Sequence, residues 1–494
     1  MKTKIIIITI ILFFGISCTD QYVDEQPQTK EIKLNDEQMA VLRAMRGENN
    51  RVSQDEVIAY ANDVITFLDG ESMIRSGQSR RIETITALTT SLEKQSIVTR
   101  AGNDEIVVEI PDTVAYVVNF ADSAGFTIIA ADTRIPVSVL AYVADGNLGT
   151  EVDDPGMAVF LEGLEGYIYD AIIEAELQRA HQDPPIVDPG DDGSPPPPYN
   201  PTYTTVRTVI GAWETTAAVY PLSPVEWDQG SPFNELVRFK NCSAGTAPTG
   251  CVAVATAHIM SYWKQPAYID GYYFNWATLN NYTGYTSYDN GLKGKNYKTW
   301  PGYMSSSTLT TPQIVQDQVA RLMERIGAHI GMKYDCSSSG TESSDAISFL
   351  KSCGYKSVIP WEIDYDYDMV IAALNVGWPV LAGGYTTKVT FLGITIYYEG
   401  GHEWVIDGYL NRRRYVQKIY ETWNSGSGAL VSTTTTGYYE YWKLLHHNWG
   451  RGGTYNGYFT EGSFNSHYSD AGSETRGGEA GNYQYNVEIA IMCR

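Results

Sequence analysis

The chain has 494 residues, a formal net charge of −23, and hydrophobic and charged fractions of 43% and 19%. That is enough for two or three domains with proper cores, in an ordinary globular balance. The acidic excess argues against binding nucleic acid or an anionic membrane through basic patches. The six cysteines include no C-x-x-C pair, so no zinc-knuckle or thioredoxin-like site is indicated.

In chain order, Lys2 and Lys4 precede an apolar run, Ile5 to Ile16, that is short for a membrane span, and Ser17 precedes Cys18. This is a signal-peptide pattern over residues 1–17. A cysteine placed there resembles a bacterial lipobox, so cleavage before Cys18 and its lipidation are expected; the plainer alternative is an ordinary signal peptide. Residues 18–34 read as an acidic tether.

Residues 35–181 read as a first α+β unit. Helices are expected over 37–46 and 55–68, the second opened by a Ser53–Glu56 capping box. A polar segment over 70–102 leads to strands over 105–110, 114–120 and 125–130, turning at Asp122 to Gly125, then a strand over 136–142 and a helix over 155–178. His181 at the exit reads as exposed. Residues 182–203, with DPPIVDPGDDGSPPPP, form a stiff linker open to proteases. It is either a plain tether or the junction at which a propeptide is cut away.

The second unit, 204–494, opens with a loop carrying Gln229 (WDQGSPFN) and then TGCVAVATAHIMSYW. Val252 to Trp263 reads as a helix that ends before Pro266, which puts Cys251 at its N-terminus. Free N–H groups and the helix dipole favour thiolate there and can hold an oxyanion; a buried structural cysteine is the bland alternative. Helices over 311–331 and 345–352 follow, the latter capped by Ser343 or Ser344. Strands are expected over 379–385, 389–398, 402–409, 415–423, 437–448 and 456–459, with 411–444 long enough for an extra hairpin. Helices first and strands later make an α+β domain.

A nucleophilic cysteine needs a base. His258 lies two turns along the same helix, too far to pair, and His329 and His467 have no motif around them. His402, in GGHEWVIDGY, has glycines before it and a strand behind it, a rigid mounting for a base. In HHNWGRGG, His447 and Asn448 face opposite sides of a strand and only one can look into the site. The reading takes Asn448 to orient His402 and Trp449 to shield that contact.

These motifs, in this order, resemble the streptopain family of papain-fold cysteine proteases over essentially all of 204–494, and 35–181 resembles that family's propeptide. The resemblance implies a papain-like domain, its catalytic helix packed on an antiparallel sheet or barrel, behind an α+β propeptide that acts as intramolecular inhibitor. It implies Cys251 as nucleophile, His402 as base, Asn448 and Trp449 as orienter and cover, Gln229 at the oxyanion hole, and neither metal nor organic cofactor. Substrates would be proteins or peptides. The chain would be an exported outer-membrane or cell-surface lipoprotein, touching membrane only through the Cys18 lipid, and would free its mature domain when the linker is cut. Two departures stand out: His258 where relatives have Gln, and Arg451 where they have a second Trp. Which of Cys242, Cys336, Cys353 and Cys493 pair is left open. The alternatives are a Cys–His acyltransferase or amidase, and a non-catalytic adhesin or inhibitor on the same scaffold.

Overall fold

Side-chain alternation along a few central strands decides where the main helices of this chain sit. The computed structural model describes residues 50–71, 79–90, 96–101, 104–182, 202–238, 242–243, 245–283, 312–359, 363–386, 390–391, 393–396, 400–464 and 487–494. The expected signal peptide, Cys18, the tether, the 37–46 helix, nearly all of the 182–203 linker and His467 lie outside the described residues.

The N-terminal part opens with the helix Gln54–Glu71. Its capping box forms as the sequence implies: Ser53 N–H donates to Glu56 Oε2 at 2.8 Å, and Glu56 N–H donates back to Ser53 Oγ at 3.3 Å. Strands Thr113–Phe120 and Phe126–Ala130 pair through a turn in which Asp122, Ser123 and Gly125 have positive φ. A Cβ on Gly125 would lie 2.2 Å from the Val143 carbonyl oxygen, so the turn admits only glycine. The stretch that reads as polar linker holds a strand, Ile82–Thr89, which gains its conformation by pairing with Thr113–Phe120. Partners distant in sequence overrode its local character. The helix Pro155–Gln182 closes this part.

Apart from the pair Ser96–Ala101 and Asp104–Glu109, its main strands do not form a sheet of their own. Val139–Val143 pairs antiparallel with Gly457–Thr460, and a 13-stranded sheet continues through Leu430–Asn448, Gly400–Asn424, Val380–Thr386 and Glu488–Cys493. Arg51–Arg494 is therefore one compact unit, although the sequence reads as two. A proline-rich linker is visible in composition; strand pairing across it is not.

On the central strands Val380, Ala382, Trp404 and Ile406 belong to the core beneath the helix Pro155–Gln182, while Leu381 and Val405 belong to the core around the helix Cys251–Trp263. Successive residues point to opposite faces, so the sheet is sandwiched between these two helices. The architecture is the expected α+β one.

The strands expected over 402–409 and 415–423 are a single strand, Gly400–Asn424, and its partner starts at Leu430 rather than 437. Together they make a long hairpin arm that includes the Ser/Thr run at 432–436. Threonine and tyrosine suit a ribbon that is half exposed on both faces. Strand Thr202–Ile210 pairs with Val416–Asn424, and Glu214–Val219 with Tyr409–Arg413, so the first residues after the linker are built into the arm. The helix expected over 345–352 spans Ser343–Ser352 with no side-chain cap, because Ser343 Oγ donates to the Glu403 carboxylate instead. Helices at Trp276–Thr283 and Tyr367–Asn375 fall where the sequence reads as loop or without pattern.

Candidate active site

Cys251 opens the helix Cys251–Trp263, as the Thr-Gly-Cys order implies. Gly250 precedes it at φ 90°, and a Cβ there would meet the Met332 sulfur at 2.7 Å and the Ser339 carbonyl oxygen at 2.8 Å. Only glycine allows this tight entry. A disulfide, Cys242–Cys336, joins the loop before the helix to the loop on which Gly250 rests, and Cys353 and Cys493 are free.

Cys251 is partly exposed as a residue, yet its thiol is surrounded by protein. Burial pushes the thiol up to about 11, and the nearby Glu403 carboxylate adds to the rise. The backbone N–H groups of Glu403, Val252 and Cys251 itself pull the other way and do not prevail. The expected lowering by the helix terminus is thus present in kind and outweighed in size: the thiolate gains N–H donors but loses more water than they replace.

His402 lies one residue before Glu403 on the strand Gly400–Asn424, so the two face opposite sides. Glu403 faces the Cys251 helix. His402 faces the other way: its ring stacks on Trp404 at 6.0 Å and an interplanar angle of 13°. Its Nε2 shares a hydrogen bond with the Trp449 carbonyl oxygen at 2.9 Å, and its buried Nδ1 has no hydrogen-bond partner. Burial pushes the imidazole down to about 4, the Trp449 carbonyl working against this and the Arg451 charge with it. Thiol and imidazole are both neutral at pH 7.

The orienting partner is not the one chosen from sequence. Asn448 Nδ2 donates to the Val225 carbonyl at 2.8 Å, and Asn448 Oδ1 accepts from Gly450 N–H at 3.3 Å. The group that holds His402 is the backbone carbonyl of Trp449. The alternation argument holds, since His447 and Asn448 do face opposite sides, but the side that His402 occupies is that of His447. Trp404 Nε1 donates to His447 Nδ1 at 2.8 Å, and the His447 ring lies between Trp449 and Phe464 at 4.8 and 4.3 Å. Trp449 is fully buried and 6.5 Å from the His402 ring, in the place of a cover.

Gln229 reaches the site through its backbone: Thr249 N–H donates to the Gln229 carbonyl at 2.9 Å, two residues before Cys251. His258 secures the same loop. Its Nε2 accepts from Trp227 N–H at 3.1 Å, and with no counter-charge its burial pushes it down to about 3. The sequence reading set His258 aside as too far from Cys251 to pair; its spacing of one heptad from Cys251 puts it on the helix face that meets the Gln229 loop.

Sequence reasoning also missed what covers the site. Asp154 Oδ1 accepts from Met157 N–H at 2.9 Å, capping the helix Pro155–Gln182. The buried Asp154 carboxyl is pushed up to about 6 by desolvation, with the Arg451 guanidinium, 3.8 Å away, opposing the rise. Gly156 lies against Trp449 so closely that a Cβ would come within 2.3 Å of the indole. Further along, Val159 abuts Gly384, and Thr386 Oγ1 donates to the Glu162 carboxylate. The first turns of this helix therefore rest on the two strands and the Trp449 turn that carry His402. Among the described residues no group of His, Cys, Asp or Glu is placed to hold a metal ion, and no helix is long and apolar enough to cross a membrane.

Family models match two separate stretches of the chain. The family model described as Peptidase C10 family matches residues 227–459, and that described as Spi protease inhibitor matches residues 83–168. Thiol protease/hemagglutinin PrtT of Porphyromonas gingivalis is 24% identical over 441 residues, which are 86% of this chain and 41% of that protein. The chain thus spans less than half of that relative's length. Among solved structures, a prointerpain A fragment of Prevotella intermedia is 17% identical with a TM-score of 0.45, covering 83% of this chain and 98% of its own. Active interpain A of the same organism is 19% identical with a TM-score of 0.32, covering 56% of this chain and 95% of its own.

Proposed function

We propose that this chain, a cysteine endopeptidase of the Peptidase C10 family with a Spi-inhibitor-like N-terminal part, is an exported proenzyme held latent by the helix Pro155–Gln182. In this reading Cys251 is the nucleophile and His402 the general acid and base. Residues 1–17 direct export, Cys18 carries a lipid, 35–181 are the propeptide, and a cut within 182–203 separates it from the catalytic domain, 204–494. The observation that carries the reading is the pairing of Cys251, at a helix N-terminus, with the residue next to His402, under a cover supplied by the N-terminal part.

When the helix leaves, water returns, Trp449 loses its cover and the His402 ring is free to turn toward Cys251, with Asn448 close by to take its distal nitrogen. His402 takes the thiol proton and the thiolate attacks the peptide carbonyl carbon. The oxyanion is held by N–H groups at the start of the Cys251 helix, with Gln229 beside them. Collapse breaks the C–N bond, and the amine leaves with the proton from imidazolium. A water, deprotonated by His402, then attacks the thioester; the acid departs and the thiol re-forms.

The test is to incubate purified residues 19–494 under reducing conditions as wild type, Cys251→Ala and His402→Ala, with mass analysis and a casein assay. Wild type alone should trim to a fragment starting within 182–203 and digest casein. If Cys251→Ala, cut in the linker by an added protease and stripped of its N-terminal part, digests casein as well as wild type, Cys251 is not the nucleophile. A fatty-acid label that survives Cys18→Ala would remove the lipid anchor.

A further inference from the structure

The N-terminal part grips the rest of the chain at a second place, on the hairpin arm and away from the Trp449 turn. One face of the helix Gln54–Glu71 presents Tyr60, Asp63 and Phe67, at helical spacing. Asp63 Oδ2 accepts from Arg414 Nη1 at 2.6 Å and from Trp213 Nε1 at 3.0 Å. Tyr60 OH donates to Glu440 Oε1 at 2.9 Å, while Arg414 Nε donates to Glu440 Oε2 at 2.7 Å. The Arg412 guanidinium lies 4.5 Å over the Phe67 ring and 4.9 Å over Trp442. Arg412, Arg414, Glu440 and Trp442 are all on the arm, and Trp213 is next to its edge strand.

Two facts make this seat outlast a cut in the linker. Strand Thr202–Ile210 runs paired along the arm through Asn424, so every bond that could be cut between 183 and 201 leaves the arm whole on the catalytic side. The helix, for its part, lies outside the stretch matched to the Spi inhibitor, and Trp213 lies outside both matched stretches. The seat is therefore additional to the contact over the active site.

We infer that the arm is a docking site for the acidic, aromatic face of the helix Gln54–Glu71, and that it keeps the N-terminal part bound as an inhibitor after the linker has been cut. This rests on the propeptide reading above. Cutting alone does not then activate the enzyme: the nicked complex stays latent until the N-terminal part is degraded or the arm contact is broken. Before the cut, the tether supplies an effective concentration on the order of millimolar, which makes the arm contact dispensable for latency. After the cut, the contact adds to the strand pairing at Val139–Val143 and the packing at Gly156 in setting the dissociation constant.

The experiment uses the full chain from residue 19 with Cys251→Ala and a site-specific protease sequence inserted at 190–196, cut by the added protease so that self-processing plays no part. The wild-type fragments should co-elute at micromolar concentration. Asp63→Lys, which sets an ammonium against Arg412 and Arg414, should weaken their association at least tenfold. The effect is discounted from that of a fully buried pair because Asp63 is partly exposed beside a cleft of about 510 Å³. Asp63→Asn keeps an acceptor for Trp213 and should weaken it about threefold or more, which serves if the lysine variant fails to fold. With Cys251 intact and the linker uncut, Asp63→Lys should leave the alkylation rate of Cys251 within twofold of wild type. Separation of the wild-type fragments on cutting, or an Asp63→Lys dissociation constant within twofold of wild type, overturns the inference. An enzyme that is inert after complete removal of the N-terminal part would instead overturn the protease reading, and with it the inhibitory role, while association of the fragments would still report the docking site.

Discussion

Replacing Gly156 by alanine tests latency at its tightest contact. The new Cβ would come within 2.3 to 2.6 Å of three atoms of the Trp449 indole. That residue is fully buried and held by two hydrogen bonds, from its backbone N–H to Asn456 Oδ1 at 2.9 Å and from the indole Nε1 to the Tyr455 carbonyl at 3.0 Å. It has little room to retreat, so the first turn of the helix must lift. Overpacking a fitted core costs about 1–3 kcal/mol, and each ~1.4 kcal/mol is tenfold in an equilibrium constant. The fraction of molecules with the helix lifted should therefore rise roughly 5- to 150-fold. The assay is the rate of Cys251 alkylation by iodoacetamide at pH 7 in full-length protein with serine at Cys18, Cys353 and Cys493. Lifting uncovers Trp449 and the His402 ring on that face of the sheet, and the ring can then turn toward Cys251 and raise its thiolate fraction, so the reaction speeds in proportion to the lifted fraction. If Gly156→Ala lowers the thermal midpoint and leaves the alkylation rate unchanged, the helix is not what silences Cys251.

Two further outcomes follow from buried groups. The Asp154 carboxyl, faced by Arg451, Asp153, Tyr455 and the N–H groups of Gly156 and Met157, is raised from 3.8 to about 6. Its stabilisation is therefore full at low pH and lost as pH rises through about 6, on the order of 3 kcal/mol in all. His402, His258 and His447, held below their ordinary value by burial, act in the opposite sense: their stability is present above about 6.5 and lost as pH falls. The midpoint of wild type minus that of Asp154→Asn, scanned from pH 4.5 to 7.5, isolates the first effect and should fall with rising pH; a flat difference refutes it. His258→Ala removes the acceptor that His258 Nε2 offers the buried Trp227 N–H, which costs about 1–3 kcal/mol and loosens the Gln229 loop. In the mature enzyme kcat should drop more than KM rises, and His258→Gln should restore most of the loss; equal losses in both variants would refute the acceptor role.

Cys251 and His402 stand out in the sequence as candidates because each has a local physical signature: a Gly-Cys entry to an alanine-rich helix, and a histidine between paired glycines and a β-branched strand. Helix limits at 54–71 and 155–182 fall within a few residues of their caps for the same reason. The partner of His402 is not legible, because it depends on which face of the strand the ring takes. Alternation places His402 with Trp404 and opposite Glu403, but only the packing of two helices on two faces says which side is which. The Trp449 carbonyl has no sequence signal, since any residue offers one. Glu403 could have been noticed, as a carboxylate directly before the apolar run WVI. Asp154 and Gly156 could not, because their contact with the Trp449 turn crosses nearly three hundred residues of chain.

In the proposed proenzyme, latency does not require anything to occupy the substrate cleft. With the thiol pushed up to about 11 and the imidazole down to about 4, proton transfer from Cys251 to His402 is uphill even if the two are brought together. Burial is the largest cause for both groups, and it acts on them in opposite directions because one gains and the other loses charge on deprotonation. Lifting the helix readmits water on the His402 face and raises the imidazole, and a ring that then turns to Cys251 lowers the thiol in its turn, so the ion pair becomes favourable more steeply than either group alone would suggest. The contact at Gly156 controls that event, and the arm decides how long it is postponed after the chain is cut. If the two contacts are independent, Gly156→Ala should speed alkylation by the same factor before and after a linker cut, while Asp63→Lys should matter only after it. A factor for Gly156→Ala that changes on cutting would show that the two ends of the N-terminal part act as one cooperative unit.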